Sequence, residues 1–224
     1  MLWSPNCQLL YPFEDQANDY SGNARHGTVF GSGVYATKPN GGRCLYFDGT
    51  GDYVATPSFG LSGTVVVFAC WIRAALSTLG DQMLIADNAQ SPTVGFLLAK
   101  GSADYNDLSW NYANGLAPAW ASSPNYFVNW HDVWLHLTVA CDYAGKKTYF
   151  YRNGLWLNTV TMSGTPVFPS TNRAKYLGCY NPALYFLKYG YLANVFLGTL
   201  ATMPPAGQML ANVKRLMLGM NPIW

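Results

Sequence analysis

The chain has 224 residues, which is enough for one domain with a sizeable core. Charged residues make up 11% of it, and 13 Lys and Arg nearly balance 11 Asp and Glu, so the formal net charge is only +2. Because the basic residues form no cluster, we predict no nucleic-acid partner. No apolar run reaches the roughly 20 residues of a membrane-spanning helix, so no membrane span is predicted. Half of the residues are hydrophobic, and we therefore expect a neutral surface that packs against a partner.

Short runs rich in Val, Tyr, Phe and Thr, bounded by Gly, Asn, Pro and Ser, recur along the chain and predict an all-β fold. The clearest unit is a three-stranded meander over residues 134–162, in which Asn153-Gly154 predicts a type I′ hairpin. Further strands are predicted at residues 44–48, 53–56, 64–74, 83–87, 94–100, 108–112, 174–179 and 191–197. About ten strands fit a two-sheet antiparallel β-sandwich.

One short C-terminal helix is predicted over residues 204–219, where two prolines precede apolar residues at helical spacing and Gly219 ends the pattern. We expect this helix to cap the sandwich. The five cysteines are Cys7, Cys44, Cys70, Cys141 and Cys179. Their odd number and wide spacing favour buried free thiols, although two of them could pair if the folded protein meets oxidising conditions.

Three stretches resemble laminin-G-like, pentraxin-related domains. Residues 10–29 carry an Asp, a Ser-Gly-Asn and a His-Gly, and residues 43–56 run from a Phe-Asp-Gly to an Asp-Tyr-Val. Residues 130–159 begin with Trp-His and reach the Asn-Gly turn of the meander. The resemblance covers nearly the whole chain and implies a single concanavalin A-like jelly-roll domain over residues 1–224.

The resemblance also implies a structural calcium ion, bound by oxygen atoms of the early polar loop and of the closing strand. The residues at the matching positions are Asp19, Ser21, Asn23 and Asp48. Ala193 and Asn194 stand where the family usually has an acidic pair, which weakens the predicted Ca²⁺ site. The alternative is that Asp19 and Asn23 close an Asx-type turn without any metal.

An enzymatic role is not predicted. Glycosidases with this sandwich fold use two carboxylates, generally both Glu, and this chain has one, Glu14. The pairs Asp48 with Asp52 and Asp104 with Asp107 fall in turns, where a solvated Asp is common. The chain also lacks the Gln-x-His of a lyase with the same fold, a zinc-type His and Cys spacing, a Gly-x-Ser-x-Gly elbow and a phosphate loop.

Binding is the remaining class of function, and aromatic residues among amides suggest where a glycan would bind. Sugar rings stack on aromatic faces while Asn and Asp bind hydroxyls, and two stretches, residues 104–129 and 180–191, have this composition. The same composition also suits core packing or a protein interface. The predicted ligand-binding residues are Trp110, Tyr112, Trp120, Tyr126, Tyr180 and Tyr185.

The first residues lack a recognisable secretion signal, whereas laminin-G-like modules usually act outside cells. A virus or phage would reconcile the two, so we predict a virion surface protein, made in the cytoplasm, that serves as a capsid decoration, fibre or tail module. Its expected partners are other virion or coat proteins, further copies of itself and a cell-surface glycan. The alternatives are a free extracellular lectin and a protein-binding adhesion or scaffold domain.

Overall fold

The computed structural model describes residues 6–14, 16–39, 41–75, 82–87, 95–101, 106–114, 118–181, 185–220 and 222–223. Strands account for most of the regular structure, and a single α-helix follows them in these ranges. In chain order the elements are β1 (Cys7–Tyr11), β2 (Thr28–Phe30), β3 (Tyr35–Thr37), β4 (Arg43–Asp48), β5 (Tyr53–Ala55), β6 (Val65–Arg73), β7 (Gln82–Ala86), β8 (Phe96–Lys100), β9 (Leu108–Ala113), β10 (Pro118–Ser123), β11 (Leu135–Asp142), β12 (Lys147–Arg152), β13 (Leu155–Thr161), β14 (Tyr176–Leu177), β15 (Lys188–Leu200) and α1 (Ala206–Met217).

The strands form two antiparallel sheets, which confirms the predicted sandwich. The first sheet has eight strands in the order β13-β12-β11-β6-β15-β4-β3, and β1 pairs with the C-terminal half of β15. The second sheet has seven strands in the order β10-β9-β8-β7-β14-β5-β2. The edges of the sandwich are therefore β13 and β10 on one side and β3 and β2 on the other.

Strand β6 shows how the sequence builds both layers of the core. Its even-numbered residues, such as Phe68 and Ile72, pack between the two sheets, whereas Val67 and Ala69 face the other way. This opposite face is covered by α1 through Met209 and Val213, so β6 is buried on both sides and reads as one continuous apolar run. The helix lies on the first sheet, as the capping prediction expected.

The structure confirms the meander that the sequence predicted near the Asn153-Gly154 turn. The predicted meander is β11, β12 and β13, and Asn153 and Gly154 have φ of +50° and +75°, as a type I′ hairpin requires.

All five cysteines are buried and free. Burial raises the pKa of the Cys7 and Cys179 thiols to about 12, so neither is a reactive thiolate at neutral pH. Within the described residues, no helix has the length and apolar character needed to cross a membrane.

Candidate ligand-binding surface

Three of the six aromatic residues predicted to bind a ligand belong to the core. Trp110, Tyr112 and Tyr126 are 0%, 0% and 1% exposed. The Trp110 ring stacks on Phe96 with centroids 4.8 Å apart, and the Tyr126 hydroxyl donates to the carbonyl of Tyr151. The prediction for these three is wrong because strand alternation turns Trp110 and Tyr112 inward on β9, which leaves no ring face for a sugar.

The other three predicted residues lie at the surface of the second sheet or beside it. Trp120 is 42% exposed on the edge strand β10, where it is paired with Asn111. Tyr185 is 49% exposed, and its ring contacts that of Tyr180 at a centroid distance of 6.0 Å. A ligand-binding role for Trp120, Tyr180 and Tyr185 stays a prediction.

The Asp19 carboxylate organises the early polar loop through hydrogen bonds alone. Its Oδ1 accepts from the backbone N–H groups of Leu10 at 3.0 Å and Ser21 at 2.9 Å. Its Oδ2 accepts from the Ser21 hydroxyl at 2.8 Å and the Arg25 N–H at 2.9 Å. A carboxylate offers about four acceptor positions, so these four donors use them all. The side-chain amide of Asn23 also donates to the carbonyl of Cys7 at 2.9 Å. These hydrogen bonds form the Asx-type turn that the sequence analysis gave as the alternative to a calcium site.

Asp48 lies far from this loop. It is paired with Lys188 at the start of β15, whereas Leu10, which donates to Asp19, is paired with Phe196, eight residues further on and about 25 Å along the strand. Among the described residues, no cluster of three or more His, Cys, Asp or Glu side chains could hold a metal ion. The four residues predicted for calcium therefore do not form one site, and that prediction is corrected.

A different cluster of aromatic residues lies on the outer face of the first sheet, beside the area that α1 covers. We call it the aromatic face and define it by Tyr46, Trp71, Trp134 and Tyr191. The Tyr191 ring lies 4.8 Å from that of Tyr46 and 6.1 Å from that of Trp134, measured between centroids. The indole N–H of Trp71 donates to the carbonyl of Met217 at 3.1 Å, which fixes this ring against the end of α1.

Two hollows open on this face. The first has a volume of about 240 Å³ and is lined by Trp71 and Trp134 together with Lys38, Pro39 and Asn194. The second has a volume of about 260 Å³, and its lining includes Tyr20, His136, Phe196, Leu216 and again Asn194. Asn194 is thus the residue that the two hollows share.

The backbone presents Asn194 in an unusual way. Its φ is +49°, a region in which Asn is among the few side chains that are tolerated, and the pairing of β15 with β6 is irregular between Ala193 and Phe196. The backbone N–H donates weakly to the carbonyl of Pro12 at 3.4 Å. Within the described chain the amide side chain makes no hydrogen bond, so both its donor and its acceptor are available to a ligand.

Charges surround the aromatic face but do not dominate it. The Arg73 guanidinium lies 5.5 Å from the centre of the Tyr191 ring and 3.9 Å from the Asp132 carboxylate. Beneath the second hollow, burial lowers the pKa of His136 to about 3, so this histidine is neutral at physiological pH. Among the described residues, the second hollow therefore has no charged group in its lining, whereas the first has one, the Lys38 ammonium.

Of the aromatic face, only Tyr191 lies in a stretch that the sequence analysis predicted for ligand binding, residues 180–191, although one signal could have found more of it. The even-numbered residues of β6 form the core between the sheets. Trp71 is an odd-numbered residue of this strand, so its ring must lie on the opposite face. The same reasoning applies to Tyr191 and Tyr46, which are paired with each other on β15 and β4. What the sequence does not show is how far the helix extends over this face.

The fold has well-matched solved structures at low sequence identity. Domain 4 of AbnA, a GH43 extracellular arabinanase from Geobacillus stearothermophilus, solved in complex with arabinotriose, has a TM-score of 0.72 and 18% identity over 94% of this chain and 98% of that one. The receptor binding domain of botulinum neurotoxin D has a TM-score of 0.70 and 11% identity over 96% of this chain. The chain spans about half of that domain, 52% of its length.

A third structure, of botulinum neurotoxin type C, has a TM-score of 0.68 and 12% identity over 94% of this chain and 51% of that one. Cell entry of that toxin is dependent upon interaction with two ganglioside molecules. No curated protein sequence matches the chain. A family model, Laminin_G_3, does match, over residues 48–196, and two thirds of the chain lie in this range. The chain therefore belongs to the concanavalin A-like lectin/glucanases superfamily.

Proposed function

We propose that this protein is a non-catalytic, single-domain glycan-binding module and that the aromatic face around Asn194 binds the sugar. The observation that carries the proposal is the amide of Asn194, which has no partner in the described chain and lies where two aromatic-lined hollows meet. Sugar CH groups pack on Trp and Tyr rings, while an amide can donate to one hydroxyl and accept from another. A site of this kind, with aromatic rings, one amide and the single cation of Lys38, suits a saccharide.

The structural neighbours support a glycan as the ligand. The arabinanase domain was solved with arabinotriose, and one neurotoxin binding domain was solved in complex with SialylT. Because these proteins share the fold at low identity, they indicate a class of ligand and not the position of a site. The position proposed here rests on the geometry of Trp71, Trp134 and Asn194.

A non-catalytic role is supported by the state of the carboxylates. The Glu14 carboxylate accepts from the Arg43 N–H at 3.0 Å at the surface. Asp52 is buried and accepts from the Ser32 N–H and hydroxyl and from the Asp48 N–H, so it is a structural residue. Asp104 lies outside the described residues. A glycosidase needs two carboxylates that flank an accessible sugar, and Asp48 with Asp52 does not supply them.

We also propose that the module acts on the surface of a virus particle, with coat proteins among its partners and a cell-surface glycan as its target. Only 11% of the residues are charged, and several large apolar side chains are exposed; both features favour a protein that works in an assembly. The test is whether an antibody raised against the chain labels intact particles from the source of the sequence. Labelling of secreted, particle-free protein alone would support the extracellular lectin instead.

The glycan proposal is tested by screening the purified chain on a glycan array and repeating the screen with three variants. Trp134→Ala removes a ring from the aromatic face, and Asn194→Gly removes the amide while keeping a residue that accepts positive φ. Trp120→Ala is the matched control, because it removes an exposed indole from the other sheet. We expect the first two variants to lose binding at least about tenfold and the control to bind normally.

Two results would count against this proposal in different ways. If Trp120→Ala abolished binding while Trp134→Ala did not, the ligand would bind on the second sheet. If the wild-type chain bound no glycan, the module would be a protein-binding adhesion or scaffold domain. Circular dichroism and melting curves of each variant show whether the fold is retained.

A further inference from the structure

The side of the sandwich formed by β10 and β13 is exposed in a way that edge strands usually avoid. β13 ends the first sheet, β10 ends the second, and the two strands lie against each other. They have seven and six residues, and in the described part of the chain no strand pairs with their outer edges. We call this the open side. An edge of this length offers unpaired backbone N–H and C=O groups to another strand.

The two strands of the open side carry no charged residue. Residues 108–130 and 153–172, which contain β10 and β13, include no Asp, Glu, Lys, Arg or His. Leu155 and Trp156, at the start of β13, are 61% and 58% exposed. Natural proteins commonly protect edge strands with charges or by making them very short. Both devices are lacking here, so the edge is open to pairing with another strand.

The opposite side of the molecule shows the usual protection. Its edge strands β3 and β2 have three residues each. Thr37, at the end of β3, is paired with Arg43 and followed by Lys38. This contrast within one sandwich makes the open side a specific feature of the fold.

We propose that a second copy of this chain covers the open side, with the two β13 strands running antiparallel around a two-fold axis. Such an axis places the same surface on itself, and because β13 carries no charged residue, the two paired strands bring no like charges of their own together. Antiparallel pairing of a strand with its own copy is self-complementary. The pairing of β13 with β12 is irregular near Tyr151 and regular over Asn158–Thr161. This regular segment is therefore the one that pairs with its copy and joins the first sheet of one molecule to the first sheet of the other.

The area next to β13 supplies the apolar contact that strand pairing alone lacks. A stable interface buries roughly 800 Å² on each partner, more than four residues of backbone provide. Between β13 and the first turns of α1 lies a hollow of about 530 Å³, lined by Tyr149, Trp156 and Leu210 among others. The exposed indole of Trp156 and this hollow together extend the interface beyond the strand.

The experiment is sedimentation equilibrium of the full chain from nanomolar to high micromolar concentration, with two lysine variants. We expect the wild type to dimerise. Thr159→Lys places a charge on exposed β13, and the two-fold axis brings the two copies of that charge close together, so the dissociation constant should rise at least about tenfold. Thr37→Lys is the matched control on the other edge of the same sheet and should dimerise as the wild type does.

A wild type that stays monomeric throughout this range would overturn the proposal, and so would a dimer that Thr159→Lys does not weaken. If Thr37→Lys weakened dimerisation as much as Thr159→Lys, the proposal would also be overturned. The effect of the added charge would then not depend on whether it lies on the β13 edge or the β3 edge. Thr161→Lys, a second exposed position on β13, keeps the test valid if Thr159→Lys fails to fold. None of these outcomes depends on whether the aromatic face binds a glycan.

Discussion

Trp110 and Trp134 are tryptophans from two neighbouring stretches of the chain, yet they have opposite roles. Trp110 lies on the inner face of β9, stacked on Phe96 and hydrogen-bonded through its indole N–H to the Tyr143 hydroxyl at 3.3 Å. Trp134 precedes β11 and lines a hollow on the outer face of the first sheet. An aromatic-rich sequence therefore does not locate a binding surface. A ligand can reach a ring only if the side chain lies on the outer face of its sheet and no other element covers that face.

The largest expected effect is that of Trp110→Ala, which should lower the free energy of unfolding by about 3 to 5 kcal/mol. The variant leaves a cavity between the sheets and removes the partner of the Tyr143 hydroxyl. Trp134→Ala, at a half-buried position, should cost less than about 2 kcal/mol. Urea denaturation of both variants measures the difference, and the assignment of core and surface fails if Trp134→Ala is the more damaging.

Next in size is an acid effect at His136, beneath the second hollow. The unfolded histidine takes up a proton below a pKa of 6.5, whereas burial holds the folded one near 3. The stability that this residue contributes is therefore complete above about pH 6.5 and is lost as the pH falls towards 3. At pH 4 the loss should be about 3 kcal/mol relative to pH 7. Denaturant unfolding at both pH values should show a clearly smaller loss for His136→Leu, and an unchanged loss would contradict the assignment.

A smaller effect is expected at Asp19, where the carboxylate holds a loop through hydrogen bonds. Asp19→Ala leaves the N–H groups of Leu10, Ser21 and Arg25 without this acceptor and should destabilise the fold by about 2 kcal/mol. Asp48→Ala is a milder control, because among the described residues Asp48 accepts from the Thr50 N–H alone, at an exposed turn. Calcium and a chelator should leave the wild-type melting temperature unchanged. A calcium-dependent rise that Asp19→Ala abolishes would restore the metal site.

The smallest expected effect is that of Trp120→Ala, on the edge strand of the second sheet. Because the ring is 42% exposed, its removal should change the free energy of unfolding by less than about 1 kcal/mol. Thermal melting alongside Trp110→Ala gives the comparison directly, since both residues come from the aromatic stretch, residues 104–129, that the sequence analysis proposed for ligand binding. Comparable destabilisation by the two variants would show that Trp120 is also packed.

The fold was largely predictable because its signals are local. Alternation and the Asn153-Gly154 turn define β11 to β13, and the apolar spacing after Pro205 defines α1. Strand β10 was missed because Pro118 and the surrounding Ala and Ser residues are typical of loops. Its strand conformation depends on pairing with β9. The length of β15 was underestimated for a similar reason, since Lys188 and Gly190 pair with β4 around an irregularity.

The candidate site was hardly predictable, because it depends on tertiary structure. Asn194 is notable in the sequence only as a missing acidic residue, and its position between two hollows follows from the backbone of β15 and from the end of α1. The metal prediction failed for a related reason. The sequence shows that Asp19, Ser21 and Asn23 are close together, but it does not show that backbone N–H groups from β1 already occupy the carboxylate.

The central position of β15 has a consequence for how the chain folds. This strand is the last of the sandwich to be synthesised, yet it pairs with β6, with β4 and with β1, whose first residue is Cys7. The middle of the first sheet therefore cannot close until Leu200 is available, and the pairing of β1 with β15 spans nearly the whole chain. Such distant contacts are entropically costly to form and slow to reach. During synthesis, β6 and β1 must wait with unpaired edges, so folding of this sheet should be completed only after β15 has left the ribosome.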